Sequence, residues 1–282
     1  MSAPVSLRGV GIHTGTDCAV TIHPADAGSG VHFALDGGGS VEAAVRNVVD
    51  TDRCTVLGNG GVTVSTVEHL LSALIGLGIT DARIEVTGPE IPILDGSARP
   101  WVEAIGSVQI RESSVPRPVP PLSLSAPILV TGKNGSFLAA SPSDAFRLTV
   151  ATVFDHPLAG TQVARFAPGE GSDFARDVAP ARTFGFIEEV EALRKAGLAL
   201  GGSLENAVVV YPDRYSSPLR FASELAYHKL LDVLGDLFLA GGTLPLTLDI
   251  VAVKPSHRLN VEFASRLWET AARRNLEVPI GT

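Results

Sequence analysis

Residues 115–121 read VPRPVPP, with proline at four of the seven positions. Each proline ring fixes φ at about −65°, removes a backbone donor and drives the preceding residue into extended conformations. Neither a helix interior nor a central strand tolerates such a run, so it reads as a linker that cuts the chain in two. The expected division is a first domain over residues 1–114, the linker, and a second domain over 122–282.

Hydrophobic periodicity fills each part with elements. The first part is expected to hold strands over 18–22, 31–34 and 55–57. A helix over 66–77 follows, ended by Gly76 and Gly78, then a strand over 83–87, a structured loop over 89–97 and a helix over 100–107. The second part predicts strands over 128–130, 137–140 and 148–154, a helix over 187–196 and a strand over 207–211. A long helix over 224–240, a strand over 246–253 and a closing helix over 258–274 complete it. Neither part shows regular βαβ alternation. The expected fold is therefore α+β: two domains of similar plan, each a layer of mainly antiparallel strands packed on a pair of helices.

Composition removes several classes of function. Thirty acidic side chains against 22 basic ones give a net charge of −8, and without a basic block this argues against nucleic acid as the partner. Hydrophobic residues at 45% with charged residues at 18% exclude intrinsic disorder. No stretch approaches the roughly 20 apolar residues of a membrane helix, and the N-terminus lacks a secretory pattern. Cys18 and Cys54 are too few for a disulfide framework or a Cys-based zinc site. A reducing cytoplasm is the expected compartment, and any metal must sit on histidine and carboxylate. Lysine is scarce, with Lys133, Lys195, Lys229 and Lys254 the only four.

Two segments carry a chemical signal. His228 and Asp232 stand at i and i+4, so a helix places both on one face, close enough to hold one ion. Asp236 extends the row by a turn, and the residues between are largely apolar. A His–Asp pair that merely packs against a neighbour fits the same spacing. Ser65 and Glu68 make S-x-x-E, a capping box that by itself needs no catalysis. Glu68 followed by His69 is also a pairing used by zinc hydrolases, in which one residue holds metal and the other handles the proton of water. No H-E-x-x-H occurs, so the common metalloprotease arrangement is excluded. Together His69, His228 and Asp232 would form a His₂-carboxylate zinc site with an open position, a set that also suits Fe²⁺. Three further segments lack an evident structural task. Residues 181–186 (ARTFGF) set the Thr183 hydroxyl between Arg182 and aromatic rings. Residues 254–257 (KPSH) could aim His257 from a strand end. Residues 9–15 (GVGIHTG) carry His13 on a glycine-rich turn without a phosphate-loop spacing.

Seven segments occur in order: GVGIHTG (9–15), RCTVL (53–57), STVEHL (65–70), EIPILDGSA (90–98), ARTFGF (181–186), GGS (201–203) and HKLLDVLGD (228–236). Together they resemble the UDP-3-O-acyl-N-acetylglucosamine deacetylase family, zinc amidases that commit carbon to lipid A synthesis in Gram-negative bacteria. The likeness runs from Leu7 to at least Asn260, and STVEH with HKxxD at this separation is its most specific element. It implies zinc-dependent hydrolysis of the acetamide of UDP-3-O-acyl-N-acetylglucosamine, with acetate and UDP-3-O-acyl-glucosamine released. It also implies a site between the two α+β domains and an inserted βαβ segment near 187–211 in the second.

The same resemblance assigns roles. His69, His228 and Asp232 correspond to the zinc ligands, and Glu68 to the general base that takes a proton from water. Thr183 and Lys229 would stabilise the tetrahedral oxyanion. His257 would protonate the departing amine, with Asp236 holding its imidazole and raising its pKa. Phe154 falls where the family stacks uracil, with Phe184 and Phe186 also on the substrate side, and Lys229 and Lys254 are placed to meet the diphosphate. Val190, Leu193, Leu198, Ala199, Leu200, Gly202, Ser203 and Ala207 match the apolar passage for the acyl chain, although each taken singly reads as ordinary core.

The chain departs from the family pattern in three places, one of them residues 241–248, which offer no polar match. The family commonly has Lys-Ser-Gly-His where this chain has Lys254, Pro255, Ser256 and His257, so the loop is expected to present His257 or the diphosphate contact differently. The run before Leu7 is short and is expected to trim an edge strand. Two other readings stay open: a catalytically silent zinc-binding relative acting through a ligand or partner, and a zinc amidase for another N-acetyl sugar conjugate. The filled reactive positions speak against the first. The expected partner is a small molecule, a UDP-linked acylated amino sugar, met by a monomer that does not span a membrane.

Overall fold

The first part of the chain opens with four strands: β1 (Val5–Val10), β2 (Asp17–Pro24), β3 (Val31–Leu35) and β4 (Gly39–Glu42). A small antiparallel meander follows, made of β5 (Val48–Asp50), β6 (Val56–Asn59) and β7 (Val62–Val64). Then come α1 (Glu68–Gly76), β8 (Ala82–Thr87) and α2 (Arg99–Gly106). Strand β8 slots between β2 and β3, giving the order β1-β2-β8-β3-β4, antiparallel except for the β3–β8 pair. This is a computed structural model, and it describes residues 1–112, 122–244 and 247–277. The linker expected at 115–121 lies outside the described residues.

The second part begins with β9 (Ile128–Thr131), β10 (Phe137–Pro142), β11 (Arg147–Val153) and β12 (Thr161–Phe166). A parallel unit follows, β13 (Phe184–Phe186), α3 (Ile187–Lys195) and β14 (Val208–Val210). After it come α4 (Glu224–Phe238), β15 (Leu248–Val253) and α5 (His257–Glu277). The sheet order is β9-β10-β15-β11-β12. Strand for strand this repeats the first sheet, with β15 in the place of β8 and β11–β15 as the single parallel pair. In both parts the inserted piece lies between the fourth strand and the helix that leads into the central strand. The expected α+β plan with its βαβ insert is therefore present.

Local sequence explains most of these elements and corrects two expectations. Along β8, Ala82, Ile84 and Val86 are buried while their neighbours are exposed, the period of a half-buried strand. Helix α1 ends as its glycines predict: Gly78 takes φ 69°, and the N–H groups of Gly78 and Ile79 return to the carbonyls of Ile75 and Leu74. Its start differs. Thr66 turns to φ 60°, the Ser65 hydroxyl donates to the Pro89 carbonyl at 3.3 Å, and the helix begins at Glu68 without a side-chain cap. The capping box does not form, which frees the Glu68 carboxylate. The edge strand is not trimmed either. Strand β1 pairs with β2 from Val5–Ile22 to Val10–Asp17, because Val5 reaches the core and secures its first residue.

Helix α1 is buried along Glu68–Ile75, and α4 is buried except at Tyr227 and Lys229. A helix apolar on most sides must lie between layers, and α1 and α4 pack on each other with one continuous core joining both parts. At Gly235 they approach so tightly that a Cβ would run into the Glu68 carbonyl. Overpacking of this kind typically costs about 1–3 kcal/mol. Gly235→Ala should therefore destabilise the fold by about that amount, read as a lower urea midpoint with an unchanged slope.

Candidate metal centre and active site

Four residues at four-residue spacing, Glu224, His228, Asp232 and Asp236, form one buried row on α4. Helix α1 meets this row with its first two residues, Glu68 and His69. Nε2 of His228 and Nε2 of His69 stand 3.5 and 3.7 Å from Oδ1 of Asp232. One donor atom from each of the three lies within 4.8 Å of the others, and among the described residues no other group of His, Cys and carboxylate is so arranged. The two segments flagged in the sequence thus converge.

The surrounding contacts leave these atoms suited to hold a cation. His228 donates its Nδ1–H to the Ala181 carbonyl at 3.2 Å, which leaves the Nε2 lone pair facing Asp232. Burial lowers the pKa of both imidazoles, and beside His228 that of His69 falls to about 3, so both are neutral near pH 7. Burial alone would raise Asp232, but His228 and Lys229 outweigh it and hold the carboxyl well below the usual range. Lys229 Nζ sits 2.8 Å from Oδ2 of Asp232. Oδ1 is buried with no hydrogen-bond partner among the described residues. A bare carboxylate oxygen between two neutral imidazoles is costly unless a cation joins it. Two nitrogens and one carboxylate oxygen are also the donor set of a catalytic divalent metal.

Beside the triad stand a buried carboxyl and a buried imidazole, Glu68 and His257. Glu68 Oε2 accepts the Thr55 N–H at 3.1 Å. Burial lifts the Glu68 pKa to about 7, with Asp236 and Asp232 adding to the rise against the pull of His257. His257, the first residue of α5, holds Nε2 3.7 Å from Glu68 Oε1 and Nδ1 3.0 Å from Asp236 Oδ2. Burial would lower its pKa, but Asp236 and Glu68 reverse the effect and raise it to about 9. Asp236 is fixed in turn by the Thr55 hydroxyl at 2.5 Å and Asn260 Nδ2 at 2.9 Å. The Pro-Ser departure has a local cause. The Ser256 hydroxyl accepts from the Leu259 N–H at 3.4 Å and caps α5, while Lys254 absorbs the turn at φ 50°. His257 reaches the site regardless.

A cavity of about 250 Å³ opens onto the triad. Glu68, His69, Thr183, Phe184, Lys229 and His257 line it, and so do Val190, Leu193, Ala199, Gly202, Ser203 and Ala207. Phe154 and Phe186 are outside this lining but pack on each other at 5.1 Å between centroids, with Phe184 5.7 Å from Phe154. Lys254 is also apart, exposed and donating to the Asn134 carbonyl at 3.2 Å. Leu198 and Leu200 are exposed.

Several contributors receive no role from sequence reasoning. Ile12, His13, Arg53 and Ile93 line the cavity. Glu90, fully buried, accepts from the backbone of His13 and Thr14 at 3.0 and 2.9 Å and from the Thr14 and Thr66 hydroxyls at 2.8 and 2.9 Å. It ties the glycine-rich turn to the stretch that leads into Glu68. All of these except Thr66 lie in the 9–15, 53–57 and 90–98 segments, so a positional signal existed, but only the fold says which face of each segment meets the cavity.

Comparison with known proteins gives a consistent picture. The family model for LpxC, described as UDP-3-O-acyl N-acetylglycosamine deacetylase, matches residues 1–269. A UDP-3-O-acyl-N-acetylglucosamine deacetylase of a Nostoc species is 41% identical over 273 residues, covering 95% of this chain and 96% of the relative. The proteins of the same name from Thermosynechococcus vestitus and Myxococcus xanthus are 43% and 39% identical. They cover 91% and 98% of this chain, and 88% and 90% of their own lengths.

Ser256→Ala should remove the cap of α5 and cost about 1 kcal/mol, measurable by chemical denaturation. An unchanged midpoint would show that the hydroxyl does not cap the helix.

Proposed function

Because the chain belongs to the UDP-3-O-acyl N-acetylglycosamine deacetylase family, we propose that it hydrolyses the acetamide of UDP-3-O-acyl-N-acetylglucosamine. The products are acetate and UDP-3-O-acyl-glucosamine, and the reaction is the committed step of lipid A synthesis. The observation that carries this reading is the meeting of Glu68 and His69 with His228 and Asp232 in the wall of one cavity. We assign zinc as the resident metal, held by His69, His228 and Asp232. When bound, it would supply Lewis acidity toward the acetamide carbonyl and lower the pKa of a water molecule.

The chain's own groups perform the remaining steps. Glu68 has a pKa near neutrality and one oxygen fixed by Thr55, so Oε1 takes the proton as water attacks the acetamide carbon. The resulting oxyanion is met by the Thr183 hydroxyl and by the field of Lys229, whose ammonium stays tied to Asp232. On collapse the C–N bond breaks, and the amine nitrogen takes a proton from Nε2 of His257. Asp236 keeps its bond to Nδ1 and stabilises the charged imidazolium until that transfer. The acetic acid so formed gives its remaining proton to the product amine and leaves as the carboxylate, and the proton on Glu68 passes to His257, which restores both groups.

The rest of the substrate has suitable surroundings. The Phe154, Phe184 and Phe186 cluster offers faces for a nucleobase. Lys229 and Lys254 are assigned to the diphosphate, and Lys254 would exchange its Asn134 contact for a phosphate oxygen. Val190, Leu193, Ala199, Gly202, Ser203 and Ala207 are assigned to the acyl chain. We assign the reaction to the cytoplasm, where the two free cysteines stay reduced.

Glu68→Gln should keep about one metal per chain and lower turnover by about 10²–10⁴-fold in an amine-release assay. His69→Ala should lose the metal as well as the activity. Wild-type turnover in the first variant would remove the base, and full metal content in the second would remove the ligand. UDP-N-acetylglucosamine without the 3-O-acyl chain should be a poor substrate. Comparable efficiency on it would move the assignment to another N-acetyl sugar conjugate.

A further inference from the structure

The head of the buried row on α4 takes no part in the chemistry above. Glu224 is fully buried and lies one helical turn before His228. Its carboxylate accepts from the Arg182 backbone N–H at 3.1 Å, from Arg182 Nε and Nη2 at 2.8 and 3.0 Å, and from the Arg220 N–H at 2.6 Å. Arg182 spends its other donors on the Ser217 hydroxyl and the Pro218 carbonyl, both at 2.9 Å. Arg220 continues to Asp95 Oδ2 and the Pro180 carbonyl, both at 2.8 Å.

One peptide unit links this cluster to the metal centre. The peptide between Ala181 and Arg182 presents its C=O to His228 Nδ1–H at 3.2 Å and its N–H to Glu224 Oε1 at 3.1 Å. A trans peptide points these two groups in opposite directions. The unit therefore spans one turn of α4 and is fastened at both ends to the same helix.

We infer that Glu224 is a positioning residue for the metal centre, acting on the ligand His228 through the 181–182 peptide. A carboxylate on the N–H polarises the peptide, so the carbonyl accepts more strongly from Nδ1–H. That contact fixes the tautomer and ring plane of His228 and makes Nε2 a better donor. The arrangement is a carboxylate–peptide–histidine relay, where a carboxylate more commonly touches the ring directly. It rests on the metal-centre reading above. The competing account is a buried ion pair that holds two loops together and has no bearing on metal.

Two variants of the full chain separate the accounts. Glu224→Gln keeps the size of the side chain but turns one acceptor oxygen into a donor that faces other donors. Arg182→Lys removes the bidentate side chain but leaves the backbone N–H of the relay. Affinity for Zn²⁺ and Co²⁺ is measured by competition with a chelator, beside the visible spectrum of the Co²⁺ form and a thermal melt. Glu224→Gln should bind metal about 10–100-fold more weakly and shift the Co²⁺ spectrum. Arg182→Lys should keep near-wild-type metal affinity despite a lower Tm. Equal loss of affinity in both variants, or a lower Tm in Glu224→Gln with unchanged affinity, would overturn the relay. Should Glu224→Gln not fold, Glu224→Asp withdraws the carboxylate from the Arg182 N–H while keeping its charge, and the same loss is expected. Wild-type protein that binds no metal would sink the centre itself, an outcome distinct from a failure of the relay.

Discussion

Glu68, Asp232 and Asp236 are three carboxylates buried at one helix contact, and they stand so close because Gly235 lets α1 and α4 meet with no side chain between them. Gathering like charges away from water is unfavourable unless opposite charge shares the space. Lys229 and protonated His257 supply two positive charges against the three carboxylates, which leaves one negative charge over when Glu68 is ionised. A divalent cation at the triad reverses that sign. Burial lifts Glu68 to about 7 and, with His228 alongside, drops His69 to about 3, while Asp236 and Glu68 overcome burial and raise His257 to about 9. A carboxyl that titrates near neutrality beside an imidazole that stays protonated there follows from where the helices touch.

The repeated topology explains why the contact forms there. In each part the fifth strand enters the middle of its sheet between the second and third, preceded by a helix that must cross the sheet face. Helices α1 and α4 occupy that equivalent place, and each is too apolar to remain uncovered on its far side. Packing the two parts helix to helix buries both at once. The inserted pieces leave each part at the same topological point, just before these helices, so the β13–α3–β14 unit rises next to the centre. Equivalent plans with different inserts yield one shared site.

What the sequence made legible depended on distance along the chain. His228 and Asp232 were readable because both sit on one helix, where spacing alone fixes the face. Glu224 belongs to the same periodic row, yet its partner Arg182 lies 42 positions away and gives no local sign. Thr55 lies in the 53–57 segment, but its role there was not legible, since its hydroxyl meets Asp236 across 181 positions. The capping-box reading of Ser65 failed for a conformational reason: Thr66 sits at φ 60°, a rare region for a β-branched residue, and Glu90 helps hold it there through the hydroxyl. Where backbone strain is paid for by a distant buried group, local pattern misleads, and such places cluster at sites. Lys254 was drawn toward the site by its motif, but its ammonium rests on the Asn134 carbonyl.

The cavity wall belongs to neither part alone. The Leu200 and Gly201 N–H groups of the insert donate to the His13 and Ile12 carbonyls at 3.2 and 3.1 Å, and the Thr183 N–H donates to the Gly96 carbonyl at 2.7 Å. The first two bonds close a seam between the glycine-rich turn and the insert, along the side where the acyl chain is assigned, and the third ties Thr183 to the 89–97 loop. Glu90 fastens that turn and Thr66 together, so the seam and the start of α1 share one anchor. On the proposed reading, an acyl chain seated against the insert would press on a wall rigidly connected to Glu68. Contacts far from the acetamide would then fix where its carbonyl carbon sits relative to the base. Binding energy from a non-reacting tail is spent in this way on orientation at the reacting atom, which raises turnover as well as affinity.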